Sequence, residues 1–230
     1  MNDGYAGRHV VVTGGTGALG RVVVQALLDA GANVHVPALT GSVSDIGAAG
    51  DKLALVQGVD LSDPVAVERF YAGLPELWAS IHLAGGFAMA RLADLTAAAL
   101  QAQLSLNAVT CLLCCKAAVA RMRGGGRIVN VTARPALEPR SGAGMVAYAA
   151  AKAAVAAMTV ALGEELVGDG ILVNAVAPSI IDTPANRAAM PKSDPAKWVS
   201  PQTLAAAILF LASPANTATR GTLLTVYGRS

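Results

Sequence analysis

Charge and aromatic rings are both scarce in this chain. Only 14% of its 230 residues are Asp, Glu, Lys or Arg, and only 4% are Phe, Trp or Tyr. The formal net charge is +2 and the basic residues are scattered, so nothing points to a nucleic-acid or acidic-membrane partner. Hydrophobic residues make up 54%, which argues against disorder and for one compact domain with a large core. Cysteine is nearly absent. Cys111, Cys114 and Cys115 are neighbours and cannot staple distant parts of a fold. No His or acidic residue lies near them in sequence, so no metal site is expected and they read as small apolar side chains buried on a helix. No uninterrupted apolar run is long enough to span a bilayer, since Lys152 interrupts the Ala-rich stretch 145–163. The charged residues ahead of the first strand do not read as a signal peptide. The expectation is a cytoplasmic protein with no membrane partner.

What is present is alternation. Short apolar runs at 9–12 (HVVV), 33–38 (NVHVPA), 52–59 (KLALVQGV), 77–86 (LWASIHLAGG), 127–132 (RIVNVT), 171–178 (ILVNAVAP) and 222–228 (TLLTVYG) read as strands. Between them lie helical patterns, the longest at 95–122 and 144–167, each followed by glycines. Strand–helix alternation with near-continuous apolar strands predicts an α/β fold: a single Rossmann-like, doubly wound domain over 1–230 with a mainly parallel sheet of about seven strands. The polar stretch 179–200 follows a strand end, where a substrate lid would sit.

Thr13 to Gly20 read TGGTGALG, between the first strand and the first helix. Gly15, Gly17 and Gly20 fit the G-x-G-x-x-G spacing, in which glycines let backbone approach a pyrophosphate and the helix N-terminus stabilises its charge. Gly14, Gly15, Thr16, Gly17, Ala18, Leu19 and Gly20 are therefore candidate dinucleotide contacts. The carboxylate that normally ends the second strand and holds the ribose hydroxyls is missing, because residues 37–42 read PALTGS. Arg and Lys are missing there too. Without a carboxylate to repel a 2′-phosphate, the reading leans slightly to NADP over NAD.

The ordered set TGGTGALG, HLAGG (82–86), Asn107 and YAAAK (148–152), followed by VNAVAPSIIDTP, resembles the short-chain dehydrogenase/reductase family over essentially the whole chain. That resemblance implies hydride transfer with a nicotinamide cofactor. It implies that Tyr148 donates a proton, that Lys152 tunes it and binds the nicotinamide ribose, and that Asn107 holds a water in a proton relay. It further implies that Asp60 and Leu61 lie near the adenine, that Ala84, Gly85 and Gly86 pass the adenosine ribose, and that Pro178 and Thr183 border the nicotinamide. A free phenol titrates near about 10, and a nearby ammonium lowers that value. Tyr148 and Lys152 are four residues apart and share a helix face. In the family the two long helices pair between subunits, which implies a homodimer or homotetramer.

One element departs from the pattern. The family's substrate-binding serine falls on Ala133, which has no hydroxyl. Thr132 is the adjacent candidate catalytic hydroxyl, although alternation along a strand aims it at the opposite face unless the strand breaks there. Ser141, in the following loop, is the second candidate. Dihydropteridine reductases also lack the serine, and 182–198 (DTPANRAAMPKSDPAKW) is similar to their lid. Their quinonoid substrate accepts hydride easily, which explains how the hydroxyl can be dispensed with. The sequence thus implies an oxidoreductase for a small carbonyl or quinonoid, imine-like substrate, with Phe87, Met190 and Trp198 as candidate apolar walls. The alternative is a dinucleotide-binding regulator or non-catalytic subunit.

Overall fold

The computed structural model describes residues 4–46 and 50–229. Seven strands, β1 (His9–Thr13), β2 (Asn33–Ala38), β3 (Leu53–Gln57), β4 (Ala79–His82), β5 (Gly126–Val131), β6 (Ile171–Pro178) and β7 (Leu223–Val226), form one sheet in the order β3-β2-β1-β4-β5-β6-β7. Every neighbouring pair is parallel, so the expected sheet is observed with no antiparallel edge. The order reverses between β1 and β4, and the crevice beyond their C-terminal ends is where a ligand binds in such sheets.

The helices are α1 (Ala18–Asp29), α2 (Val43–Ile46), α3 (Pro64–Ala72), α4 (Ala97–Leu104), α5 (Thr110–Val119), α6 (Arg134–Leu137), α7 (Val146–Glu165), α8 (Pro184–Ala189) and α9 (Pro201–Ala212). Local signals explain their starts. Asp63 caps α3, Thr96 caps α4 and Ser200 caps α9, each side-chain oxygen accepting a first-turn N–H. The helices cover both faces of the sheet, giving one core around Val10, Val12, Val34, Leu27 and Ile208 and another around Val11, Tyr71, Cys115, Ile128 and Val173.

The predicted long helix at 95–122 is continuous but not uniform. A π turn, Ser105–Val109, joins α4 to α5 and carries Asn107. By length and composition, 97–119 and α7 are long and apolar enough to cross a membrane, which the sequence reading had excluded by requiring an unbroken apolar run. Leu, Val, Cys and Ala together supply their hydropathy, and both pack one face on the rest of the fold, as core helices do.

Candidate functional site

β1 ends at Thr13 and α1 begins at Ala18, so the glycine turn lies at the reversal point. Gly17 is the N-cap of α1, makes no side-chain cap, and is followed by no acidic residue in the first turn. First-turn N–H groups there can meet an anion. Gly20 is required sterically: a Cβ on it would lie 2.1 Å from the Gly14 oxygen and 2.7 Å from Gly15 Cα. Thr13 Oγ1 accepts a hydrogen bond from Ala84 N at 3.1 Å, tying β1 to the segment after β4. Gly14 to Gly20 and Ala84 to Gly86 thus form one backbone-lined corner, whose close approach and helix N-terminus suit a dinucleotide.

Beyond β3, Asp60 Oδ1 accepts from Ser62 N at 2.8 Å and Ser62 Oγ at 2.7 Å, and these bonds hold its carboxyl below the usual range. Leu61 is half-buried beside the second core. Val59 N donates to the Ala38 oxygen, and Gln57 Nε2 donates to the Gly41 oxygen, which pins the segment after β2. Ala38 is buried and Leu39 exposed, so the two residues at the end of β2 offer neither a carboxylate nor a cation.

Asn107 reaches across to the segment after β4. Its Nδ2 donates to the Gly86 oxygen at 3.0 Å and its Oδ1 accepts from Gly86 N at 3.2 Å, while Nδ2 also donates to the Gln103 oxygen at 3.1 Å. Lys152, buried on α7, donates from Nζ to the Val131 oxygen at 2.8 Å. A Cβ on Gly85 would lie 2.6 Å from Asn107 Oδ1 and 3.5 Å from Lys152 Nζ, so two helices deliver polar ends to the same backbone point. Burial pushes the Lys152 ammonium down to about 8, partly countered by Cys111. Tyr148 has the Phe87 ring edge-on at 4.9 Å, and among the described residues its hydroxyl hydrogen-bonds to no protein atom. The expected lowering of the phenol is not what this geometry gives. Burial pushes Tyr148 up to about 12, while Lys152 Nζ lies 6.0 Å from the ring centroid and donates to the Val131 oxygen.

The structure corrects the catalytic assignment of Thr132. Its side chain is 1% exposed, and Oγ1 donates to the Lys152 oxygen at 2.7 Å, so it anchors α7 to β5. Strand alternation continues through this residue and aims it at α7. Ser141 does not replace it either, since its Oγ donates to the Glu138 oxygen at 2.8 Å within its own turn. Ala133 is 4% exposed and extended, and it presents only a methyl group. Thr132→Val should therefore lower stability by about 1 kcal/mol, the usual worth of one hydrogen bond, and leave kcat within a few-fold. Denaturant titration and steady-state rates check this; a hundredfold fall in kcat at unchanged stability would restore the catalytic role.

Pro178 closes β6 and the polar stretch 179–200 follows. This polar stretch contains α8, capped by Thr183 Oγ1, which accepts from Asn186 N at 3.2 Å. Arg187 grips Asp182 with two bonds of 2.6 and 2.7 Å, and Ile181 bridges Val199, so the stretch 179–200 is tied at its base. Trp198 is buried and packs as core, Met190 is half-buried, and Phe87 is 59% exposed. Of the three proposed walls, Phe87 is the one standing beside Tyr148.

The sequence reading missed a buried polar chain beneath this site. Tyr71 OH, Ser80 Oγ, His82 and Asn130 are linked at 2.9, 2.9 and 2.8 Å, and Cys111 and Cys115 join at Asn130. The signal was available: Ser80 and His82 are two apart on one strand face, and Cys111 and Cys115 are four apart on one helix face.

A parallel sheet with a glycine turn at its reversal point, faced by a Tyr–Lys pair and an Asn, defines a dinucleotide-binding oxidoreductase fold. A family model described as short chain dehydrogenase matches residues 8–194. The chain is 32% identical to cis-4-hydroxycyclohexanecarboxylate dehydrogenase of Sinomonas cyclohexanicum, covering 99% of this chain and 98% of that protein. It is 30% identical to sorbitol dehydrogenase of Cereibacter sphaeroides over 76% of this chain and 71% of that one. Among solved structures, an oxidoreductase of the same family from Burkholderia thailandensis superposes with a TM-score of 0.87 at 28% identity, covering 97% of this chain and 92% of the other. The chain belongs to the short-chain dehydrogenase/reductase family, whose members use NAD or NADP.

Proposed function

We propose that the protein transfers hydride between NAD(P)H and a small, activated acceptor, a quinonoid, imine-like or otherwise electron-poor carbonyl compound, with Tyr148 as proton donor. The observation that carries this is the convergence of Lys152 and Asn107 on Gly85, with Lys152 Nζ 6.0 Å from the ring of Tyr148, whose hydroxyl has no hydrogen bond among the described residues. A nicotinamide bound at the corner supplies the hydride. The glycine turn and Ala84 to Gly86 would hold its pyrophosphate and adenosine end, with Pro178 and Thr183 at the nicotinamide end. Tyr148 hands a proton to the reduced substrate atom. Lys152, released from Val131 to approach the phenol, stabilises the phenolate left behind and lowers its cost. Asn107 is a positioning residue that fixes the Gly85–Gly86 backbone.

Ala133 is the reason for choosing an activated acceptor. With no donor there to polarise a plain ketone, the substrate must accept hydride without that help. The lid similarity to dihydropteridine reductases keeps quinonoid dihydropterin among the candidates. The absence of a carboxylate at Ala38 favours NADP. Leu106, Val109, Leu112, Val146 and Val160 leave an apolar outer face on the long helices, which suits pairing into a dimer.

The test is oxidation of NADPH and NADH with quinones, dicarbonyls and quinonoid dihydropterin, and the reverse reaction with cyclic hydroxy acids, the class for which the full-length relative is named. Turnover concentrated in the activated acceptors, with NADPH preferred, supports the reading. Tight cofactor binding with no turnover on any compound would favour the regulator instead.

A further inference from the structure

The buried chain beneath the site contains a set of donors that hydrogen bonding does not satisfy evenly. Asn130 Oδ1 is approached by His82 Nδ1 at 2.8 Å, by Cys111 Sγ at 3.3 Å and by Cys115 Sγ at 3.7 Å. Three groups thus converge on one amide oxygen that has two lone pairs. Cys115 Sγ also lies 3.6 Å from His82 Nδ1, and the ligand atoms of His82, Cys111 and Cys115 all fall within 4.8 Å of one another. All four residues are buried.

We propose that His82 Nδ1, Cys111 Sγ, Cys115 Sγ and Asn130 Oδ1 form a structural zinc site between β4, β5 and α5. Ligand bonds of roughly 2.0–2.3 Å put the corners of a zinc tetrahedron about 3.3–3.8 Å apart. Of the six edges, the three sulfur edges quoted above, 3.3, 3.6 and 3.7 Å, already have that length, the 2.8 Å edge between His82 and Asn130 must open, and the two remaining edges of Cys111, to Cys115 and to His82, lie within 4.8 Å. The orientation comes from outside the donor set. His82 Nε2 faces Ser80 Oγ at 2.9 Å, and Ser80 is in turn held by Tyr71 OH at 2.9 Å, which directs Nδ1 inward. Asn130 Nδ2 donates to Thr159 Oγ1 at 3.0 Å, which fixes its oxygen toward the sulfurs.

Charge favours a divalent ion. Binding releases one proton from each thiol, and two thiolates neutralise Zn²⁺, so the buried complex carries no net charge. A monovalent soft ion such as Cu⁺ would leave an uncompensated negative charge in the core. With four protein donors and no exposure, the site has no open position for substrate and is structural. It would tie the helix that follows the Asn107 turn to the two central strands.

The deciding experiment is metal analysis of the full-length protein after dialysis against a mild chelator, followed by refolding with Co²⁺ under reducing conditions. The expected result is about one zinc per chain, and after cobalt refolding a sulfur-to-cobalt charge-transfer band with the strong visible bands of a tetrahedral ion. Both should vanish in Cys111→Ala/Cys115→Ala. A folded wild-type protein that shows neither zinc nor cobalt bands overturns the proposal. So does zinc that persists in the double variant, which would mark an adventitious ion only. Should the double variant not fold, the wild-type stoichiometry and cobalt spectrum decide by themselves. None of these readouts depends on activity, so they stand apart from the oxidoreductase reading.

Discussion

Replacing Tyr148 by phenylalanine is expected to lower kcat by about 10²- to 10⁴-fold, the usual contribution of a positioned proton donor, while leaving cofactor affinity and thermal stability close to wild type. The substitution is unusually clean here. The phenol ring is held by the edge-on Phe87 ring, a contact that phenylalanine preserves. The hydroxyl makes no hydrogen bond to described protein atoms, so its loss orphans no buried partner. A structural role would show as a fall in melting temperature; a chemical one shows only in turnover. The pH profile separates the tyrosine from its neighbour. Burial holds Tyr148 up to about 12, so it stays protonated through the ordinary working range and sets no limb there. Burial holds Lys152 down to about 8, so its positive charge fades as pH rises through that value. A charge that stabilises the phenolate formed in reduction disappears with it, and the reductive kcat should decline above about pH 8. Undiminished turnover in Tyr148→Phe would sink the proposed chemistry, and a flat profile through that range would remove Lys152 from it.

The architecture was readable because its signals are local. Strands such as 171–178 are apolar runs bracketed by glycine and proline, and α7 is an alanine-rich helix with glycines beyond its end. The π turn at Asn107 was not readable, since Ser-Leu-Asn-Ala-Val is compatible with an ordinary helix. There the Asn107 side chain reaches the Gly86 backbone, a contact between residues 21 apart. α8 was overlooked within a polar stretch, although Thr183 followed by Pro184 is a helix-start pattern. The three cysteines were judged by neighbours in sequence. The sheet brings His82 to Cys111 and Cys115 because His82 and Asn130 are register partners on adjacent strands. Tyr148, Lys152 and Asn107 were found by motif, but which group holds each of them depends on distances that spacing alone does not contain.

The second large effect is a gain. Ala133→Ser is expected to raise kcat/KM on unactivated ketones by about 10²-fold, the scale of one donor to a developing oxyanion, and to change turnover of quinonoid acceptors little. The argument rests on what surrounds this position. Thr132 is engaged by the Lys152 oxygen and Ser141 by the Glu138 oxygen, so neither nearby hydroxyl already does the work. A competing fate for the new hydroxyl is local. Ala133 is the N-cap of α6 and makes no side-chain cap, so serine there could cap that helix and stabilise the fold by about 1 kcal/mol. The two fates separate in measurement, because capping raises the melting temperature without touching ketone reduction, whereas a substrate contact raises kcat/KM on ketones selectively. If the variant is more stable and no better on ketones, the substrate does not approach Ala133 and the apolar wall is not what selects activated acceptors. If ketone turnover rises while quinonoid turnover holds, the methyl group at this one position is the reason the native chain needs a substrate that accepts hydride unaided.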